Sequence, residues 1–220
     1  MKKVALILSG CGVYDGSEIH EACAALLALS RAGAAVTACA PAGPQMHVIN
    51  HLAGQPAEGE NRDILTESAR LVRGDIRPLS ELDPAEFDAV LLPGGFGAAK
   101  NLCNFATEGD QCTVNADVAS FLREANNRKK PIGAMCIAPV ILARVFGQDL
   151  HPELTIGNDA ATATMIENMG ARHVLCTATE SVVDQSNLMV TTPAYMIAGD
   201  INEVFSGATG FVEELLQLCR

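Results

Sequence analysis

Cationic side chains are scarce: 15 Lys and Arg stand against 26 Asp and Glu in 220 residues, a formal net charge of −11. A nucleic-acid binder needs a basic face to meet phosphates, and adhesion to an anionic membrane surface needs the same, so neither partner fits. No apolar run approaches the ~20 residues of a membrane span. The basic opening Met1-Lys2-Lys3 leads into an apolar run that breaks at Ser9-Gly10, short of the ~7–15 residues of an export signal. It reads as a first strand, and a cytoplasmic protein is expected. Tryptophan is absent, no internal repeat is visible, and the eight cysteines (Cys11, Cys23, Cys39, Cys103, Cys112, Cys136, Cys176 and Cys219) form no Cys-x-x-Cys pair. That excludes the short zinc-type frameworks. In a reducing compartment most of these thiols are expected to be free and buried as small hydrophobes.

What is present is apolar. Hydrophobic residues make up 49% and charged residues 19% of the chain, which excludes disorder and suffices for a core. Short apolar runs alternate with helical stretches. Lys3–Ser9 reads as a buried strand, 18–32 as a helix closed by Gly33, and Ala35–Ala40 as the next strand. Asp88–Leu92 is a strand ended by Pro93-Gly94-Gly95; Val114–Asn127 is a helix, Pro131–Met135 a strand, and Ile137–Phe146 a helix stopped by Gly147. Two strands flank a turn at Gln185-Ser186-Asn187, and a last helix lies within 199–218. Continuous apolar strands alternating with helices imply a mostly parallel sheet covered on both faces, an α/β fold. The aperiodic stretch Pro41–Arg62, rich in Pro, Gly, Asn and His, is read as a surface excursion from a single domain spanning 1–220.

In such sheets ligands collect at the carboxyl ends of the strands, and three of those ends are unusual. In Gly133-Ala134-Met135-Cys136-Ile137-Ala138-Pro139 a strand ends at a cysteine and a helix starts directly after it. That is the arrangement of a nucleophile elbow, and a helix N-terminus favours the thiolate. A cysteine that merely packs between strand and helix is the rival reading. In Leu92-Pro93-Gly94-Gly95-Phe96-Gly97 a glycine turn exposes backbone N–H groups at the same edge, suited to an oxyanion; a plain turn is the alternative. A phosphate cradle is weaker, because no Lys-Ser/Thr ending follows. In Asp15-Gly16-Ser17-Glu18-Ile19-His20-Glu21, Asp15 and Glu18 have capping-box spacing. Glu21 lies beyond the cap. A buried carboxyl there has a raised pKa and can relay protons to a substrate at Cys136; a solvated helix face is the alternative.

Other candidates carry less. His47 and His51 sit in a loop-like stretch with no metal-site pattern, and Cys103 and Cys112 have no recognised ligand spacing. His151 and His173 lie in no context that marks a catalytic base, so no Cys-His-Asp triad can be assembled.

The segments Val4–Leu8, Glu18-Ile19-His20-Glu21, Leu92-Pro93-Gly94-Gly95 with Asn101-Leu102, and Gly133–Pro139 together resemble the ThiJ/PfpI superfamily, the class I glutamine-amidotransferase-like fold. The resemblance spans nearly the whole chain and, through Gly-Ser-Glu-Ile-His-Glu, is similar to the ElbB branch of bacterial glyoxalases linked to isoprenoid biosynthesis. It implies a flavodoxin-like three-layer sandwich, a homodimer and Cys136 as elbow nucleophile. It places the partner glutamate on Glu21, with Glu18 the less favoured choice, and an oxyanion hole on the N–H groups of Gly95 and Ile137. Gly94, Glu18 and Asn158 complete the expected substrate-binding set. Relatives carry a histidine about twenty residues beyond the cysteine; here Leu154-Thr155-Ile156 is followed by Gly157-Asn158-Asp159. That speaks against Cys–His hydrolysis and leaves a mechanism run by Cys and Glu.

The expected activity is a glyoxalase without glutathione, metal or other cofactor. It would turn a small dicarbonyl, glyoxal or methylglyoxal, into glycolate or lactate through a Cys136 hemithioacetal and a Glu21 proton shuttle. The alternative is a redox or electrophile sensor, or a deglycase-like repair protein, using the same cysteine. An amidotransferase subunit ranks last.

Overall fold

The apolar runs form the centre of a seven-stranded sheet in the computed structural model, which describes residues 1–219. The strands are β1 (Lys3–Ile7), β2 (Ala35–Ala40), β3 (Arg77–Pro78), β4 (Ala89–Leu92), β5 (Ile132–Met135), β6 (Val182–Asp184) and β7 (Met189–Thr192). Their order is β6-β7-β5-β4-β1-β2-β3, parallel throughout except for β6, which runs antiparallel to β7 around the anticipated turn. The main helices are α1 (Ile19–Arg31), α2 (Phe96–Lys100), α3 (Ala116–Asn127), α4 (Pro139–Leu150), α5 (Ala160–Asn168) and α6 (Ile201–Gln217).

Successive strand residues point to opposite faces, and this divides the core in two. Ala5, Ile7, Val90, Leu92 and Ile132 pack with α3 and α4 on one side. Val4, Leu6, Leu91 and Val190 pack with α1 and α6 on the other. The result is the expected α/β three-layer sandwich. Gly133 allows the close approach of α6, since a Cβ there would lie 2.6 Å from the Phe211 ring.

The strand order reverses between β1 and β4: the chain leaves β1 toward β2 on one side and returns to β4 on the other. Crevices at such switch points are where α/β sheets hold ligands. The loop after β1 and the loop after β4 are joined there by the Glu18 N–H donating to Gly94 O at 3.0 Å.

Several local expectations need correction. Helix α4 does not stop at Gly147 but runs to Leu150 and is closed by His151 in the left-handed region at φ 46°. Gly147 serves packing instead, for a Cβ there would meet Met169 O at 2.2 Å. Asp15 does not cap α1. Glu18 is the cap, its carboxylate accepting the Glu21 N–H at 2.7 Å. Asp15 turns to the excursion, accepting the Ile49 N–H at 2.7 Å with His51 Nε2 3.7 Å away. That excursion carries a small hairpin, Ile49–Asn50 against Gln55–Pro56. Just ahead of Gly157-Asn158-Asp159 the strand is the two-residue Glu153–Leu154, paired with Arg172–His173 outside the main sheet.

Candidate active site

Cys136 occupies the turn between β5 and α4. Its φ of 59° is in the left-handed region, which costs a non-glycine residue on the order of 1–3 kcal/mol and is sustained by the surroundings. The surroundings here are the Cys136 N–H, which donates to Thr192 O of β7 at 2.9 Å, and Ala138 N–H, which closes on Met135 O at 2.9 Å. The turn aims the sulfur back over the sheet edge, where the backbone N–H groups of Gly95 and Ile137 donate to it. These are the two amides anticipated for an oxyanion, brought to one point.

Glu21 lies in the first turn of α1 and is fully buried. One carboxylate oxygen accepts the Gly94 N–H at 2.9 Å, the other the Tyr195 N–H at 3.3 Å, and the carboxyl is also hydrogen-bonded to the Cys136 thiol. Gly94 fits because it lacks a side chain: a Cβ there would lie 2.4 Å from Cys136 Cβ and 2.6 Å from Glu21 Oε2. Glu18, the other acid of the motif, caps the helix and lines the cavity. The geometry therefore distinguishes the two glutamates: Glu21 contacts the thiol.

Burial pushes the Glu21 carboxyl up to about 7, and the neighbouring Glu18 charge adds to the rise. Burial and the negative Glu21 also hold the Cys136 thiol well above its ordinary value. The thiolate expected from the helix N-terminus is thus corrected. The amides of Gly95 and Ile137 lower the thiol's pKa, but desolvation beside a carboxylate outweighs them. The carboxyl therefore gives up its proton before the thiol does, and Glu21 in its carboxylate form is the acceptor for the proton on sulfur.

A cavity of about 600 Å³ opens over Cys136. Of the sequence-expected residues, Cys136, Gly95, Ile137 and Glu18 line it. Two others are corrected. The Gly94 N–H is occupied by Glu21 and is not a free donor for substrate. Asn158 is exposed and outside the lining, because the bend after Ile156 brings Asp159 and Thr162, not Asn158, to the wall. Tyr195 was not anticipated: its N–H holds Glu21 and its hydroxyl lies 2.7 Å from His20 Nδ1. Its only signal in the sequence is its place just after β7, at the same sheet edge. Asn101 ties the site together from beneath, its amide donating to Ser9 O and Asp15 O, each at 2.8 Å. Among the described residues no histidine lines the cavity, and no group of three or more His, Cys, Asp and Glu is arranged to hold a metal ion.

A buried cysteine on a strained strand-to-helix turn, facing a glutamate and two amides in a mostly parallel sandwich, defines an amidotransferase-like domain with a nucleophile elbow. The chain belongs to the DJ-1/PfpI family, whose model matches residues 2–196. It is 49% identical to the human glutamine amidotransferase-like class 1 domain-containing protein 3, mitochondrial, over 98% of this chain and 83% of that protein. It is 34% identical to an isoprenoid biosynthesis protein with amidotransferase-like domain from Ehrlichia chaffeensis, with a TM-score of 0.91 over 98% of this chain and 99% of that one. Glyoxalase III from Candida albicans shares the fold, at 14% identity and a TM-score of 0.64 over 100% of this chain and 98% of that one. The human relative is named as mitochondrial, as are ES1 relatives from Rattus norvegicus and Danio rerio. The expectation of a cytoplasmic protein is corrected by that finding.

Proposed function

We propose that the protein is a glutathione-independent glyoxalase that converts glyoxal, and methylglyoxal more generally, to the 2-hydroxy acid. The observation that carries this reading is the buried hydrogen bond between Cys136 and Glu21, set beneath the amides of Gly95 and Ile137. Glyoxalase chemistry needs a nucleophile for one carbonyl, a base that can return its proton at the adjacent carbon, and donors for the oxygen that becomes negative. All three roles have an occupant here.

The reaction starts with Glu21 taking the thiol proton as sulfur attacks an aldehyde carbon. The carbonyl oxygen becomes negative between the two amides and then takes that proton, which completes a hemithioacetal. Glu21, again a carboxylate, removes the hydrogen from the sulfur-bearing carbon, and an enediolate forms as the hemithioacetal hydroxyl passes its own proton to the second carbonyl oxygen. The proton held on Glu21 then goes to the neighbouring carbon. The product is a thioester of Cys136, the first carbon oxidised and the second reduced, with no external electron acceptor. Water cleaves it to glycolate and restores the thiol. A carboxyl near pH 7 suits a group that must accept and return protons in one cycle.

A sensor needs a thiol that ionises easily, and burial raises the Cys136 thiol instead. The test is turnover of glyoxal by the purified protein without glutathione, beside Cys136→Ala and Glu21→Gln. Loss of glycolate formation in both folded variants is the expected result. Persistence of full activity in Glu21→Gln would defeat the mechanism and return the sensor reading to the front.

A further inference from the structure

The cavity is far too large for glyoxal. A volume of about 600 Å³ lies in the ~300–1,000 Å³ range of sites that enclose drug-sized ligands. A dialdehyde of two carbons fills only a small part of it, next to Cys136. The remainder is walled mainly by apolar side chains, Phe96 from α2, Phe105 from the short helix Phe105–Glu108, Met165 from α5, and Met196, with the hydroxyl residues Thr107 and Thr162 among them. Its ionisable side chains besides Cys136 and Tyr195 are the acids Glu18 and Asp159; neither lysine nor arginine lines it.

These walls are not needed to hold the catalytic pair, whose partners are Gly94, Gly95, Ile137 and Tyr195. They are also poorly suited to an anionic substituent, which would meet two acids and no counter-charge. Resting on the glyoxalase reading, we infer that this space is a subsite for a neutral apolar substituent. The preferred substrate class is then a 2-oxoaldehyde carrying an alkyl or aryl group of about six carbons. The aldehyde carbon sits at the Cys136 sulfur, and the chain extends between Phe105 and Met165.

The chemistry is unchanged by the substituent. Sulfur adds to the terminal aldehyde, Glu21 moves the proton to the former ketone carbon, and hydrolysis of the thioester gives the 2-hydroxy acid with the chain attached. Burial of each methylene contributes roughly a two- to fourfold gain in kcat/KM where the wall is contacted.

The experiment compares kcat/KM for glyoxal, methylglyoxal, 2-oxohexanal and 2-oxooctanal, with Cys136→Ala as the blank. A rise of at least tenfold from methylglyoxal to 2-oxooctanal is expected. In Met165→Asn and in Ala106→Trp, whose new ring would project from the exposed helix position into the space, the ratio of the long to the short substrate should fall. A second measurement needs no turnover: protection of Cys136 from iodoacetamide, read by peptide mass spectrometry, with 2-octanone against 2-butanone. Stronger protection by the longer ketone is expected. Equal kcat/KM along the series, with glyoxal still processed through Cys136, overturns the subsite and leaves the glyoxalase reading standing. Better protection by 2-octanone with no dicarbonyl turned over supports the apolar subsite and defeats the glyoxalase reading. Equal protection by the two ketones overturns the subsite whatever the turnover.

Discussion

The thiol of Cys136 and the carboxyl of Glu21 share a hydrogen bond at the base of the cavity, and its effect is one-sided: the carboxylate raises the cost of charging the thiol, while the thiol eases the charging of the carboxylate. The pair therefore holds its proton on sulfur until an electrophile arrives, and the acceptor must be ionised at that moment. Activity is expected to rise with pH through about 7, following the Glu21 carboxyl. A kcat/KM profile across this interval checks it; a profile flat from pH 5 to 8 would speak against Glu21 as the base.

The same shift acts on stability, with the opposite sense. Glu21 has a folded pKa of about 7 against 4.5 for the free side chain, so the folded state binds more protons between those values. Stability contributed by this group is complete below about 4.5 and is lost as pH rises toward 7. By linkage the loss amounts to about 3 kcal/mol at pH 8. Glu21→Gln, which stays neutral, is expected to melt higher than the parent at pH 8 and no higher at pH 4. Paired thermal melts at the two values decide it.

Glu18 tunes its neighbour. Its charge raises the Glu21 pKa, and its carboxylate caps α1. Glu18→Gln is expected to move the acidic limb of the activity profile to lower pH and, through the weakened cap, to cost about 1 kcal/mol of stability. A variant that loses stability without moving the limb would show that only the cap is at work.

At Gly94 the constraint is steric. An added methyl would overlap both Cys136 Cβ and the Glu21 carboxylate, so Gly94→Ala must part the pair or shift the loop after β4. A fall in kcat/KM on the order of 10²-fold is expected, since displacements near 1 Å cost about that much. Circular dichroism should report a retained fold.

The excursion is held to the site loop through Asp15. Asp15→Ala removes the acceptor of the Ile49 N–H and the partner of His51. Limited proteolysis within 49–56 is expected to accelerate about tenfold, in line with a net loss of about 1–1.5 kcal/mol for such a hydrogen bond.

Much of the layer architecture is legible in the sequence because the signals are local. The runs Val4–Leu8 and Ala89–Leu92 are apolar without interruption, as strands buried on both faces must be, and Gly33 follows α1 at φ 68° where a helix must end. The elbow is legible for the same reason: strand and helix meet with Cys136 between them. What escapes is set by distant contacts. Gly147 looks like a helix stop until Met169 is seen against it. Asp15 looks like a cap until the excursion supplies Ile49. The ionisation of Cys136 depends on Glu21, 115 positions away in the chain, and no helix-terminus argument contains that charge. Tyr195 enters through a backbone N–H, which any residue but proline has, so its identity left no mark.

Eight unpaired thiols are spread through the described residues at graded depth. Cys23 is exposed on α1, Cys11, Cys176 and Cys219 are partly covered, and Cys39, Cys103, Cys112 and Cys136 are buried in the core or at its edge. Alkylation needs the sulfur to emerge, so each modification rate times the opening of one neighbourhood. The chain thus carries its own set of clocks, running from Cys23 at the surface to Cys39 between the sheet layers. A single mass-resolved labelling series would rank the order in which this sandwich comes apart.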